Sequence, residues 1–314
     1  MKRIGITLGD PASIGPEIVR AALISGKLPK SAEYVVIGKN ADWSLGKPTR
    51  ETAQAASGAL EQAVWMARSG AIDAVVTGPI HKARMYEIGF KFAGQTEFFA
   101  ARFGVENFAM LLTGGKITVA LVTTHIPLVE VSRVLKKEEI VRVGLLLHDF
   151  LRARSSTQDH QNSTALSSQD SQPQERAIRI AVAGLNPHAG ESGALGREEG
   201  EIIAPAIAEL NSSLVTSHSS PSFSGPFSPD TLFHHVVEGE WDAVLCMYHD
   251  QGLIPLKLHA FFEGVNVTLG LPFPRTSPDH GTAFEIAGKG IARPDSMIAA
   301  IQLAVELANE SKRP

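Results

Sequence analysis

Ile117-Thr118-Val119-Ala120-Leu121-Val122-Thr123-Thr124-His125 is a short β-branched, apolar run that ends on two threonines and a histidine. Its length and composition read as a strand. Two later stretches repeat the pattern. Ile178-Arg179-Ile180-Ala181-Val182-Ala183-Gly184 leads through Leu185-Asn186-Pro187 to His188, and Ala243-Val244-Leu245-Cys246-Met247-Tyr248 leads to His249-Asp250. Further strand-like runs cover 3–8, 34–38, 74–77 and 265–268, and helical patterns cover 15–25, 51–69, 137–152, 198–210 and 296–311. Short strands alternating with longer helices predict an α/β protein with mainly parallel strands. In the helix over 51–69, Ala55, Ala59, Ala63 and Met66 fall on one side and are expected to face the core.

The chain has 314 residues, which at roughly 100–200 residues per domain predicts two domains. Hydrophobic residues make up 44% and charged residues 20%, which fits a soluble globular protein and excludes a disordered chain or a polytopic membrane protein. The net charge of −4, from 29 basic and 33 acidic residues, gives no broad footprint for nucleic acid. The start Met1-Lys2-Arg3-Ile4-Gly5 is too short in apolar residues for a signal peptide, and no stretch is long enough to span a membrane. A cytoplasmic protein with neither nucleic acid nor membrane as partner is expected. The single cysteine, Cys246, permits no intramolecular disulfide and reads as a buried thiol. Residues 154–175 turn to Ser, Gln, Asp, Asn and Thr and are expected to form a polar, flexible insertion.

Eleven histidines are present, and their positions matter more than their number. His125, His188 and His249 each stand at or just past the carboxyl end of a predicted strand, where ligands bind in open parallel sheets. Three imidazoles meeting at one spot would hold a borderline divalent metal and leave positions for substrate or water. The other reading is that each histidine separately caps a helix or bonds a loop, and spacing leaves both open. His81, His148, His160, His218, His234, His235 and His259 have no comparable setting and read as surface or helix residues. No strand is followed by G-x-G-x-x-G, so the usual dinucleotide fingerprint is missing. Lys257, Asn266 and Arg275 gather late in the chain, where the two cations could neutralise a carboxylate or phosphate.

Taken in order, six motifs resemble the 4-hydroxythreonine-4-phosphate dehydrogenase family of the vitamin B6 pathway. They are Gly9-Asp10-Pro11-Ala12, Thr77-Gly78-Pro79-Ile80-His81-Lys82, Thr123-Thr124-His125-Ile126-Pro127-Leu128, Leu185-Asn186-Pro187-His188-Ala189-Gly190-Glu191, Tyr248-His249-Asp250-Gln251-Gly252 and Val265-Asn266-Val267-Thr268-Leu269-Gly270. The segment from Asp279 to Ala292 is also similar to the adenosine-binding loop of the isocitrate and isopropylmalate dehydrogenases. That shared superfamily would explain nicotinamide binding without the glycine fingerprint.

The resemblance implies a two-domain isocitrate/isopropylmalate dehydrogenase-like α/β fold with mainly parallel sheets and an interdomain cleft. It divides the chain into residues 1–90 with 263–314, and residues 91–262, the latter carrying the metal-ligand strands and the dimer interface. It implies a homodimer with the active site at the interface. His125, His188 and His249 match metal ligands, one of them contributed across that interface. Gln95, Thr96, Lys257, Asn266 and Arg275 match positions that bind a phosphorylated hydroxy-acid substrate. His280, Gly281, Thr282 and Ala283 become contacts for NAD or NADP, and Lys82 is offered as a catalytic base alongside a metal-bound hydroxide. Zinc stands first among the metals, with cobalt, nickel or magnesium as others.

The implied reaction is metal-dependent oxidation of 4-phosphooxy-L-threonine to 2-amino-3-oxo-4-phosphooxybutanoate, a β-keto acid that decarboxylates to 3-amino-2-oxopropyl phosphate. Departures from the family pattern bear on substrate. Relatives usually carry histidine where this chain has Gln95, Ser13 replaces a glycine in the first turn, and residues between Gly38 and Glu51 are fewer. Glutamine neither carries charge nor relays a proton. A related dehydrogenase acting on a four-carbon sugar acid 4-phosphate or a cyclic diol carboxylate is therefore kept beside the first reading. A zinc hydrolase and a metal-dependent scaffold stand behind both.

Overall fold

A computed structural model describes residues 1–39, 41–163, 177–214 and 222–310. In chain order the first elements are β1 (Lys2–Thr7), α1 (Gly15–Ile24), β2 (Ala32–Ile37), α2 (Arg50–Arg68), β3 (Ala74–Thr77), α3 (Lys82–Glu87) and α4 (Gln95–Phe103). Next come β4 (Ala109–Gly114), β5 (Ile117–Leu121), α5 (Leu128–Val134), α6 (Lys137–Ser163), β6 (Ile180–Ala183), α7 (Ala204–Leu214), β7 (Phe223–Phe227), α8 (Pro229–Val237), β8 (Ala243–Cys246) and α9 (His249–Ala260). The chain closes with β9 (Val265–Leu269), β10 (Arg275–Pro278) and α10 (Asp295–Glu310).

These elements form two compact units, Met1–Glu106 with Phe262–Pro314, and Asn107–Phe261. The first unit therefore takes in α4, which the boundary at residue 90 had put in the second. Its strands run in the order β2-β1-β3-β10-β9. All neighbours are parallel except β10 and β9, and Ile4 lies opposite Ala74 and Thr7 opposite Thr77. Helix α2 covers one face. It starts at a capping box in which Thr49 and Thr52 exchange side-chain and backbone hydrogen bonds, satisfying two otherwise orphaned N–H groups. Its buried side carries Ala53, Ala56, Ala59, Leu60, Ala63 and Val64 against Ile72, Val75, Phe98 and Phe99. Ala55, expected on that side, is half-buried at its edge, because the face centres on the Ala56–Ala63 row.

The second unit orders its strands β4-β5-β8-β6-β7, antiparallel only between β4 and β5. Val119 pairs with Val244, and Ile180 with Ala243, so β5, β8 and β6 are three parallel neighbours. Their side chains, with Leu232, Val236, Leu253 and Leu256 from the helices, make the core, and Cys246 sits buried within it. Burial pushes its thiol pKa up, as for an inert structural cysteine.

Helix α6 continues to Ser163, into the stretch expected to loop from Arg154. No glycine or proline interrupts residues 152–163, so no strong helix breaker stands there despite the polar composition. The rest of the 154–175 insertion, and His218, lie outside the described residues. Among the described residues no helix is long and apolar enough to cross a membrane.

Candidate active site

Because β5, β8 and β6 are parallel neighbours, the three histidine-bearing strand ends share one edge of the second unit. Hydrogen bonds lace those ends together. Val122 N–H donates to Cys246 O (2.9 Å), and the Thr123 hydroxyl donates to Met247 O (2.7 Å). On the other side of β8, buried Gln251 accepts from Met247 N–H (2.7 Å) and donates to Gly184 O (2.6 Å). His125 and His249 are thereby brought together, with ring centroids 5.5 Å apart and planes tilted by 46°. Two imidazoles on one tetrahedral ion at ~2.0–2.1 Å have centroids roughly 5 Å apart, so the pair fits two of a metal's ligands. His249 Nδ1 lies 2.7 Å from Asp250 Oδ1. A carboxylate only accepts, so Nδ1 carries the proton and Nε2 is left with a lone pair.

His188 stands elsewhere in the same unit. Among the described residues of one chain, no group of three or more His, Cys, Asp or Glu is placed to hold a metal. His188 lies in a turn over Pro187–Gly193 where His188, Ala189, Glu191 and Ser192 have φ of 50°, 49°, 45° and 57°. Non-glycine residues in this left-handed region cost on the order of 1–2 kcal/mol each, so something must hold the turn. Glu199 is buried and accepts from the N–H groups of Leu185 (2.8 Å) and Asn186 (2.7 Å) and from Asn186 Nδ2 (3.0 Å). Burial acts to raise its carboxyl pKa, but these donors outweigh burial and hold it below the usual range. Gly190, at φ 80°, leaves the space for it, since a Cβ there would lie 2.5 Å from Glu199 Oε2. Nearby, the Ser228 hydroxyl bonds Asp230 Oδ1 (2.6 Å) and lowers that carboxyl pKa, with a further contribution from His188. Asp230 sits in the first turn of α8, and Ser228 takes the flanking position.

The first unit contains a different kind of cluster. Arg275, at the start of β10, is only 3% exposed, yet none of the ion pairs among the described residues involves it. Burial pushes its guanidinium pKa down to about 10, partly offset by Glu97, so it stays cationic at neutral pH. Its Nη1 donates to Thr268 Oγ1 (3.3 Å), and Nη2 donates to Thr77 Oγ1 and to Gln95 Oε1 (3.2 Å). Gln95 is fixed in turn by donating to Gly78 O (3.0 Å), and the Thr96 and Thr268 hydroxyls lie 3.2 Å apart. Arg275 Nε and Asn266 Oδ1 are buried with no partner. A buried cation among neutral acceptors, with an unused N–H, is arranged to receive an anion. Gln95, Thr96 and Arg275 thus come together around Thr268, and Asn266 lies two residues before Thr268 on β9. Lys257 lies half-buried on α9 of the second unit. Lys82 is exposed at the start of α3, its Nζ 3.9 Å from where a Gly94 Cβ would stand.

The carboxyl ends of β1, β3 and β10 share one edge of the first unit, and the proposed cofactor loop leaves from there. Asp10 N–H donates to Pro79 O (2.8 Å), a close approach that needs Gly9 at φ 74°, where any Cβ would collide with that carbonyl. Ile14 N–H donates to Thr282 O (3.1 Å), and Glu17 accepts from Gly288 (3.1 Å) and Ala292 (3.2 Å), closing the loop on α1. Ser13, in the glycine position, earns its place by bonding Asp10 O (2.6 Å) and accepting from Gly15 N–H (3.0 Å). His280 Nε2 is buried without a partner, and burial lowers its pKa, which favours the neutral ring at neutral pH. Ala283 adopts φ 42° just before Phe284. An orphaned ring nitrogen on a loop at a sheet's carboxyl edge fits a ligand with hydrogen-bonding groups, as a dinucleotide has.

Several residues of this edge were missed in sequence. His81, read as a surface or helix residue, packs edge-on to Phe284 at 5.1 Å and has a buried, unpartnered Nδ1. It follows β3 as His125 follows β5, so the strand-end criterion would have found it. Asp10 is fully buried, accepts from Ala12 N–H (2.9 Å), and is raised in pKa chiefly by burial. Thr77 and Thr268, the hydroxyl partners of Arg275, carry no signal in a single sequence.

Comparison with known proteins agrees with this arrangement. The sequence model described as "Pyridoxal phosphate biosynthetic protein PdxA" matches residues 18–304. A 4-hydroxythreonine-4-phosphate dehydrogenase of Caulobacter vibrioides is 46% identical over 269 residues, covering 84% of this chain and 74% of that protein. The crystal structure of the 4-hydroxythreonine-4-phosphate dehydrogenase from Klebsiella pneumoniae superposes with a TM-score of 0.76 at 34% identity, covering 98% of this chain and all of that one (100%). Isocitrate dehydrogenase from Methylococcus capsulatus shares the fold, with a TM-score of 0.51 at 17% identity over 99% of this chain and 87% of that one. With the strand-end histidines and the buried arginine cluster, these matches show that the chain belongs to the PdxA family and has the α/β fold shared with the isocitrate dehydrogenases.

Proposed function

We propose that the chain is an NAD(P)-dependent, metal-dependent dehydrogenase of 4-phosphooxy-L-threonine, as the names of its relatives suggest. The observation that carries this is Arg275, a buried cation with an unused N–H among Thr77, Gln95, Thr96 and Thr268, which suits a phosphate. Lys257 holds the substrate's other anionic end, and Asn266 directs its buried amide oxygen to a substrate donor. His125 and His249 hold two positions of the divalent ion and His188 the third, zinc standing before cobalt, nickel and magnesium. His280, Gly281, Thr282 and Ala283 hold the cofactor. When bound, the ion would supply Lewis-acid polarisation at the C3 hydroxyl and the nicotinamide a hydride acceptor for C3. Lys82, beside the glycine that precedes Gln95 and Thr96, takes the hydroxyl proton. The product, 2-amino-3-oxo-4-phosphooxybutanoate, is a β-keto acid and loses carbon dioxide to give 3-amino-2-oxopropyl phosphate. A cytoplasmic location is part of the same reading, with which a single cysteine that allows no intramolecular disulfide is compatible.

The active form in this proposal is a homodimer in which His188 of one copy completes the pair His125 and His249 of the other. The support is exposed apolar side chains on the two helices that follow that pair in sequence. Leu128 and Val129 are exposed just after His125, and Ile254 and Leu258 (89% exposed) lie one turn apart on the helix that His249 opens. Sedimentation should give a two-subunit mass for the native protein. Leu258→Asp, placing a charge in an apolar contact, should weaken the dimer by at least about tenfold and lower metal content with it. A native protein that is monomeric and still metal-replete would contradict this arrangement.

A second reading follows from Gln95, which uses its oxygen for Arg275 and its amide for Gly78 O. A neutral clamp of this kind suits the phosphate of another four-carbon hydroxy acid equally well. Comparing kcat/KM for 4-phosphooxy-L-threonine and a sugar acid 4-phosphate separates the two. Gln95→His should shift that ratio toward 4-phosphooxy-L-threonine by about tenfold, the worth of one hydrogen bond.

A further inference from the structure

We infer that Glu199 is the positioning residue of the His188 turn: its buried carboxylate gathers the chain leaving β6 and fixes the conformation that presents the imidazole. This rests on the reading of His188 as a metal ligand. Glu199 is 5% exposed and takes part in none of the ion pairs among the described residues. Its charge is compensated instead by neutral donors of one short segment, the N–H groups of Leu185 and Asn186 at 2.8 and 2.7 Å and the Asn186 amide at 3.0 Å. Those donors converge only if the chain bends directly after Gly184. An isolated buried carboxylate is costly, so the bend and the carboxylate stabilise each other.

The turn also has backbone hydrogen bonds of its own, among them Ala194 N–H to Glu191 O (3.2 Å) and Leu195 N–H to Gly190 O (3.1 Å), but these close it on itself and do not tie it to the end of β6. Glycines line both sides of the carboxylate. A Cβ at Gly184 would lie 3.2 Å from Oε1, and one at Gly190 would lie 2.5 Å from Oε2. Sequence spacing hides the connection, because Glu199 lies beyond the turn and touches Leu185 and Asn186, not His188. Asn186 is held from the far side as well, its amide donating to Glu198 Oε2 at 2.8 Å.

The test is cobalt(II) binding to the purified full-length protein, followed by visible absorption in competition with a chromogenic chelator, for native, E199Q, E199A, H188A and E199Q/H188A forms. Removing a partner that orients a metal ligand typically costs about 10–100-fold in metal affinity. E199Q keeps an acceptor for the two backbone N–H groups but sets an amide against the Asn186 amide, so a loss of about tenfold is expected, with a larger one for E199A. E199Q/H188A should bind no more weakly than H188A, because Glu199 acts through His188. Circular dichroism selects the folded variants, and E199Q serves if E199A does not fold. Native cobalt affinity in E199Q, or losses that simply add in the double variant, would overturn the positioning role while a weakened H188A leaves the metal reading standing. Native affinity in H188A would overturn the metal reading itself, and the positioning role with it.

Discussion

Arg275→Met lowers kcat/KM for the phosphorylated substrate by about 30-fold to several thousand-fold, the equivalent of ~2–5 kcal/mol for truncating one side of a buried charged contact. The loss falls mainly on KM, since the guanidinium holds the phosphate in ground state and transition state alike. Folding changes much less. The native protein already bears the cost of a buried cation with no carboxylate partner, and methionine removes that cost while leaving the Thr77, Thr268 and Gln95 oxygens short of a donor. The two effects oppose each other, so stability should stay within about 2 kcal/mol of native. Arg275→Lys should not restore KM, because a single ammonium cannot serve Thr77, Thr268, Gln95 and a phosphate in the geometry of a planar fork. Initial rates of nicotinamide reduction over a substrate series, with calorimetry on the same samples, check both halves. An unchanged KM in Arg275→Met would show that the anion binds elsewhere.

His249→Ala should have the larger effect on turnover. Loss of Lewis-acid polarisation is worth several kcal/mol, so kcat should fall by about a thousandfold or more. His125→Ala should do the same, and the double variant should be no worse than either, as expected for side chains acting on one ion. Chelation of the native protein should reproduce the loss, and zinc or cobalt should reverse it there but not in the variants. Folding should survive, because the strand ends are laced by Thr123, Met247, Gln251 and Gly184 rather than by the imidazoles. Retention of full activity in His249→Ala would remove the histidine pair from the mechanism.

The sequence made the parallel α/β plan legible where strands were apolar and β-branched, as in β5, β6 and β8, and where helices had one apolar side, as in α2 and α10. It hid β10, Arg275-Thr276-Ser277-Pro278, which is polar yet buried on every residue. Its groups are satisfied by distant partners, such as Ala300 O for the Thr276 hydroxyl (2.8 Å), and no local pattern announces them. Helix α9 was hidden for a different reason. It contains Pro255 and is apolar on two sides, one packing Leu253 and Leu256 into the core and the other exposing Ile254 and Leu258. The same duality is what suggests a second copy of the chain against it.

The site was legible in proportion to how far its residues act alone. Strand-end placement singled out His125, His188 and His249, and the structure brings the first and third together while holding His188 in a separate left-handed turn. Arg275 was legible only as one of two late cations that could meet an anion, because its burial and its hydroxyl partners come from paired strands, with Thr77 lying 198 residues away in sequence. Glu199 needed the fold, because it reaches the chain leaving β6 only after that strand has paired, whereas His81 was open to the strand-end criterion that found His125.

The most direct test is to measure, on one purified sample, its divalent-metal content and the reduction of NAD or NADP with 4-phosphooxy-L-threonine. Reduced nicotinamide and carbon dioxide should form in equal amounts, at a rate that follows the bound metal. Full activity in demonstrably metal-free protein, or turnover of the substrate with no nicotinamide reduced, would contradict the assignment.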